Sequence, residues 1–139
     1  MSRQFAPLPH YGFGPIVRSG SACFTIEALP ASPAGACPYC GSLDLAGFGR
    51  RERSVADLPV MGRPLVLRVQ TRRFRCKDCR RTFYEALPEI DPKRHMTLRL
   101  REWIGKETPY RSGVDVASEA GLSEGTIRQV LKDLARTAG

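Results

Sequence analysis

A small α+β chain, rich in strands over its first two thirds and helical at its end, is what three features of this 139-residue sequence predict. Apolar and polar residues alternate over Leu65–Arg75, the apolar period lengthens to that of a helix after Asp91, and four cysteines form two Cys-x-x-Cys pairs. The length suits one compact domain or two very small ones. With 42% hydrophobic and 26% charged residues the composition is that of an ordinary globular protein, which argues against wholesale disorder and against a coiled coil. No stretch approaches the roughly 18 consecutive apolar residues of a membrane span, so no membrane association is expected. The N-terminus is broken by Pro7, Pro9, Gly12, Gly14 and Pro15 and lacks the apolar run of a secretion signal. A cytoplasmic location is therefore expected, and in that reducing compartment five cysteines point to metal or to chemistry more than to disulfides.

Taken in order, residues 1–20 hold little periodicity and read as a flexible N-terminal arm. Phe24 and Ile26 alternate with Thr25 and Glu27, predicting a strand over residues 22–28; Cys23 falls on it as a small strand side chain or a free thiol. A Pro/Ala-rich loop leads to the first cysteine pair. Asp57–Pro64 reads as an extended piece and a turn. The strand at residues 65–75 is the best in the chain, with Leu65, Leu67 and Val69 on one face and Arg68, Gln70 and Arg72 on the other. Phe74 breaks this alternation and suggests a bulge. Thr82–Glu85 returns as a short strand.

The cysteines carry the strongest signal. In Cys37-Pro-Tyr-Cys40-Gly and Cys76-Lys-Asp-Cys79 each turn presents two sulfurs to one point, and two such turns complete a tetrahedral Zn2+ site with zinc to sulfur distances of about 2.3 Å. Gly41 supplies the positive φ that such a knuckle often requires, whereas the second knuckle has Arg80 in that place. The 35 intervening residues suit a zinc ribbon in which each knuckle ends a β-hairpin. A thioredoxin-type redox pair would be a single motif in a βαβ setting, and four thiolates leave no open position for a catalytic zinc. Rubredoxin-type iron uses similar spacing, but this loop is very basic whereas electron carriers are usually acidic. The metal is thus read as structural, contributing on the order of 10 kcal/mol to the folding of a ribbon with a thin core, so that chelation is expected to unfold residues 21–88. Four thiolates around a dication sum to minus two, which lowers the formal +8 to nearer +6.

Charge is segregated. Residues 1–49 and 82–139 are each neutral, while residues 50–81 hold eleven basic side chains against three acidic ones, a surplus of eight. Ten of the eleven are arginine, whose planar fork fits phosphate oxygens or a guanine edge. A concentration of this kind marks a polyanion footprint, nucleic acid being the commonest partner, although a solvated face is the plainer alternative.

Beyond Asp91-Pro92, read as an N-cap and first turn, Met96, Leu100, Trp103 and Ile104 form one helical stripe and predict a helix over residues 92–106. A short helix with small Ala117, a turn at Gly121 and a second helix capped by Ser123 match a helix-turn-helix. Ile127, Val130, Leu131 and Leu134 share the inner face of the last helix, leaving Arg128, Gln129, Lys132 and Arg136 outside. A three-helix bundle for packing or dimerisation gives the same spacing.

The stretches Cys-Pro-x-Cys-Gly-Ser from Cys37, Arg-Ser-Val-Ala-Asp-Leu-Pro-Val-Met-Gly-Arg-Pro from Arg53, and Arg-Arg-Phe-Arg-Cys-x-x-Cys-x-Arg-Thr-Phe from Arg72 resemble the N-terminal zinc-binding region of bacterial transposases of the insertion-sequence L3 type. The resemblance spans about residues 21–135 and implies a helix-turn-helix after the zinc region. It divides the chain into an arm (1–20), a zinc ribbon (21–88) and a helix-turn-helix (89–139). Members of that family continue into a DDE catalytic domain, whose three acidic residues on an RNase H-like core would hold two metal ions; no such stretch is visible here, so no enzymatic activity is expected. The reading that follows is a sequence-specific binder of double-stranded DNA, at mobile-element ends or an operator, associated with the bacterial nucleoid. Its DNA contacts are assigned to Arg68, Arg72, Arg73, Arg75, Arg80, Arg81, Arg128, Gln129, Lys132 and Arg136, its metal ligands to Cys37, Cys40, Cys76 and Cys79. A homodimer or a full-length transposase are the protein partners expected. The rival is a zinc-ribbon adaptor for protein interaction, or an RNA- or ribosome-associated factor.

Overall fold

A computed structural model describes residues 5–19, 23–31 and 33–138. Those parts of the expected arm and first strand that fall on residues 1–4 and 20–22, together with residues 32 and 139, lie outside the described residues.

The spine of the molecule is one long hairpin. β3 (Leu45–Val60) and β4 (Arg63–Cys76) pair antiparallel along almost their whole lengths, from Leu45 opposite Cys76 to Val60 opposite Arg63. At about 3.4 Å per residue this ribbon is on the order of 40 Å long. Its two-residue turn, Met61-Gly62, has φ of 53° and 73°, positive at both positions as the tightest hairpin connection requires. Two bulges interrupt the register, at Phe48-Gly49 and at Leu58-Pro59. The first lies opposite Arg73, so the irregularity that Phe74 announces sits in the facing strand, where Gly49 takes φ of 103°. The second accommodates Pro59, which has no N–H for the ladder.

β2 (Cys23–Pro30) runs parallel to β4 over residues 65–69, and β5 (Thr82–Tyr84) pairs antiparallel with Arg73–Arg75 further along. Outside β2 lies β1 (Tyr11–Ser19). The expected arm is thus, over these nine residues, a strand: Gly14-Pro15 form a bulge that takes the proline out of the ladder, and the Tyr11 hydroxyl donates to Pro88 O at 2.8 Å. Burial, ahead of the nearby Glu85 and Glu89, pushes the Tyr11 phenol above its ordinary pKa. Two short strands, β6 (Ile90–Asp91) and β7 (Met96–Thr97), complete the order β1-β2-β4-β3-β7-β6.

Helix α1 (Leu98–Glu107) starts later than the sequence predicts. Asp91 caps a turn instead of a helix: its carboxylate accepts from the amides of Lys93 and Arg94, and His95 then takes φ of 52°, which no helix tolerates. Thr97 is the real N-cap, accepting from the Leu100 amide. α2 (Gly113–Ala120) and α3 (Glu124–Ala138) follow, the first capped by Ser112 and the second by Ser123, whose hydroxyl accepts from the Thr126 amide at 3.1 Å.

Strand alternation divides the core in two. Leu65, Leu67, Val69 and Val55 turn to one face with Ile26, Ala28, Leu8 and Ile90. The stripe Met96, Leu100, Trp103 and Ile104 packs with Val116, Ala117, Ala120, Ile127 and Val130, and this second cluster rests on Ala56 and Leu58 at the other face of β3. Both clusters lie toward the turn end of the hairpin. No described helix is long and apolar enough to cross a membrane.

Candidate metal centre and nucleic-acid interface

The open end of the hairpin carries both knuckles, one immediately before β3 and one immediately after β4, because Leu45 and Cys76 face each other in the ladder. Only the second knuckle joins two antiparallel strands, β4 and β5; the first is entered from an irregular segment. The Sγ atoms of Cys37, Cys40, Cys76 and Cys79 all lie within 4.8 Å of one another, with Cys37 to Cys79 at 3.7 Å and Cys40 to Cys76 at 3.5 Å. A tetrahedron of sulfurs about 2.3 Å from zinc has edges of about 3.8 Å, so four thiolates so placed fit one ion.

The two knuckles share one backbone design. The Gly41 amide donates to Cys37 O and the Arg80 amide to Cys76 O, each at 2.9 Å. The amides of Tyr39 and Cys79 point at the sulfurs of Cys37 and Cys76, each at 3.4 Å. Gly41 has φ of 78° and Arg80 φ of 66°. The second knuckle therefore holds a non-glycine residue in the left-handed region, at a cost of about 1–2 kcal/mol that metal binding offsets. Hydrogen bonding from the Cys79 amide brings the Cys76 thiol down to about 6, favouring the thiolate that a metal needs. Between the knuckles the Lys77 amide donates to Asp44 O at 2.9 Å, and the Ser42 hydroxyl donates to Asp78. Cys23 is a half-buried strand residue remote from this cluster in the pairing pattern.

The arginines of β4 and the second knuckle fall into four environments. Arg68 pairs with Glu52 at 2.8 Å, half exposed. Arg72 donates to both oxygens of buried Glu85, Nε to Oε2 at 2.9 Å and Nη2 to Oε1 at 2.7 Å, while its own amide reaches Oε2 at 2.7 Å. These bonds raise the Arg72 pKa and tie β4 to the segment after β5; they occupy the fork that would otherwise meet a phosphate. Arg73 and Arg75 project beside β5, where Arg73 lies 5.1 Å from the ring of Phe48 and Arg75 5.9 Å from the same ring. On the second knuckle Arg80 is exposed and Arg81 sits 4.8 Å from the Tyr39 ring.

At the far end of the molecule Gly121 ends α2 with φ of 71°, and an added Cβ there would stand 2.8 Å from the Pro64 Cβ. Both constraints explain the glycine. Gly105 of α1 likewise admits Leu134 of α3, whose Cδ1 lies 2.8 Å from a Cβ built at that position. The inner face of α3 is Ile127 and Val130, with Leu131 and Leu134 half buried. Arg128, Gln129 and Lys132 are exposed, and no described carboxylate pairs with Arg128 or Lys132; Arg136, exposed, stands 4.0 Å from Asp133. Asp133 is held below the usual carboxylate range chiefly by its hydrogen bond from Arg94. The residues assigned to DNA contact are thus not gathered into one surface: those of α3 belong to the helical end, Arg72, Arg73, Arg75, Arg80 and Arg81 to the zinc end, and Arg68, opposite Ser54, to the part of the hairpin that carries Leu67 and Val69. Sequence reasoning left out Arg51, whose guanidinium lies 4.0 Å from the Tyr84 ring, and the exposed Phe48 and Tyr84. Only the pairing of β3, β4 and β5 brings these three together.

A four-thiolate Zn2+ centre on a β-ribbon, followed by a capped helix, a left-handed glycine turn and a second helix with a basic outer face, defines a zinc-ribbon and helix-turn-helix protein of the DNA-binding class. Residues 33–79 match the zinc finger of transposases IS204/IS1001/IS1096/IS1165, and residues 85–135 match the helix-turn-helix domain of transposase family ISL3. The chain thus carries, within residues 33–135, the zinc ribbon and helix-turn-helix of ISL3-type transposases; neither match is to a catalytic domain. No curated protein and no solved structure shows a significant match.

Proposed function

We propose that the chain recognises a specific double-stranded DNA sequence through α3 and does no chemistry of its own. The first turns of α3 enter the major groove, Arg128 and Gln129 meet base edges, and Lys132 and Arg136 meet phosphates. Arg80 and Arg81 on the second knuckle, with Arg68, add sequence-independent phosphate contacts. The observation that carries this reading is the outer face of α3: Arg128 and Lys132 stand in solvent without a carboxylate partner among the described residues, on a helix whose opposite face is locked into the core.

Selection of bound oligonucleotides from a random duplex pool tests it. A defined motif is expected, and a palindrome would mean that two copies bind together. On that motif Gln129→Ala and Arg128→Ala change the preference among sequences, whereas Arg81→Ala weakens all probes alike and lowers the salt dependence by about one phosphate contact. Equal losses on every probe from both kinds of variant would refute the division. Failure to enrich any duplex, with retention on duplex RNA instead, would favour the adaptor or RNA-associated alternative.

A further inference from the structure

Beyond buried Val69 and Thr71, the end of the hairpin next to the metal belongs to neither apolar cluster, yet one of its faces is built of aromatic rings and guanidinium groups. Register and alternation place Arg51 beside Thr71, and hence on the side of Arg73 and Arg75. Phe48 joins them because the Phe48-Gly49 bulge turns its side chain toward Arg73 and Arg75, at 5.1 and 5.9 Å from the ring. Tyr84, opposite Arg73 in β5, has Arg51 at 4.0 Å and Arg73 at 5.7 Å. Phe48 is 45% exposed and Tyr84 37%, and no described carboxylate pairs with Arg51, Arg73 or Arg75. This face is the one opposite Ala56 and Leu58, which carry the helices, so it is not a continuation of the α3 surface.

We infer that this face is a binding platform for single-stranded DNA, with unpaired bases stacking on Phe48 and Tyr84 and their phosphates held by Arg51, Arg73 and Arg75. Flat rings exposed on a sheet and flanked by cations that no described carboxylate neutralises, with Arg73 also donating to the Thr82 hydroxyl, have the chemistry that a flexible single strand requires: a π surface for any base and a positive charge for each linking phosphate. A closed duplex keeps its bases stacked inside and offers these rings nothing. The platform goes beyond the duplex site of α3 and does not depend on it.

The zinc-loaded full chain is titrated by fluorescence anisotropy into labelled oligothymidine of twelve nucleotides and, separately, into the selected duplex. Phe48→Ala and the double variant Phe48→Ala/Tyr84→Ala are expected to weaken oligothymidine binding by about tenfold or more, with duplex binding unchanged. The double variant Phe48→Tyr/Tyr84→Phe, which keeps both rings, is expected to bind like the native chain and so separates stacking from loss of fold. Native affinity for oligothymidine in the alanine variants, or no binding by the native chain, overturns the platform while leaving the duplex arm to judge α3 independently. Equal losses on both probes also overturn it, since they would make the patch a general electrostatic grip.

Discussion

Asp57→Ala strikes the joint between the hairpin and the helices. The Asp57 carboxylate is fully buried and accepts three bonds: from the Thr97 hydroxyl at 2.7 Å, from Arg99 Nε at 2.8 Å and from Arg99 Nη2 at 2.6 Å. Thr97 is itself the N-cap of α1, so the carboxylate orients the group that starts the helix. Removing one partner of such a buried pair leaves the other uncompensated and costs about 3–5 kcal/mol. For Asp57→Ala the lower end, about 3 kcal/mol, is expected, because Arg99 retains 21% exposure and a second acceptor at Ala6 O. Arg99→Ala should cost more, about 4 kcal/mol, since it strands a carboxylate with no exposure at all. Urea unfolding with zinc present, followed through the buried Trp103, measures both. The double variant should lose less than the sum, because each single change already breaks the same pair. Losses below about 1 kcal/mol in both single variants, at unchanged denaturant slope, would refute the account of Asp57 as the joint.

Two further outcomes follow from the site. Gly121→Ala should cost more than Gly41→Ala, although both positions have positive φ: the strain of about 1–2 kcal/mol is common to them, but only at Gly121 does the new Cβ meet Pro64, at 2.8 Å, so equal changes in urea midpoint would contradict the packing argument. Chelation of zinc should raise amide exchange over residues 45–53 and 70–84 only, and not unfold all of residues 21–88 as the sequence suggests, while Trp103 fluorescence stays native, because both apolar clusters lie away from the metal; simultaneous loss of the Trp103 signal would show instead that one cooperative unit spans the chain.

The features legible in the sequence were those set by local rules. Cysteine spacing fixes the metal centre, alternation fixes β4, and the pattern of small, glycine and capping residues fixes α2 and α3. What escaped were elements whose stability is borrowed from a neighbour. β3 over residues 46–54 is an arginine- and glycine-rich run, exposed along most of its length, and it is a strand because β4 offers it a ladder. β1 hides its Pro15 in a bulge, so a proline that reads as a breaker breaks nothing. The start of α1 was misplaced because Asp91-Pro92 has the same composition in a capped turn as in a helix N-terminus, and only the positive φ of His95 distinguishes them. Among the assigned DNA contacts Arg72 could not be told from Arg73 without knowing that Glu85, thirteen residues on, comes to lie beside it.

The distribution of core and charge along the hairpin explains why a metal is needed at one end only. Toward the turn, β3 and β4 are covered on both faces, by Leu8 and Ile90 on one side and by the helices on the other, and burial of apolar surface holds the strands together. Toward the open end the same two strands carry Arg50, Arg51, Arg73 and Arg75, whose mutual repulsion works against pairing. A polyanion would relieve that repulsion, but the strands must be paired beforehand to present a defined surface. The four thiolates do this: closing the open end with an anionic zinc centre fixes the register at Cys76 and places compensating negative charge beside the arginines. On the proposed reading, a basic ribbon end outside both apolar clusters can thus remain ordered before a polyanion binds, which a hydrophobic closure of equal strength could achieve only by covering that same face.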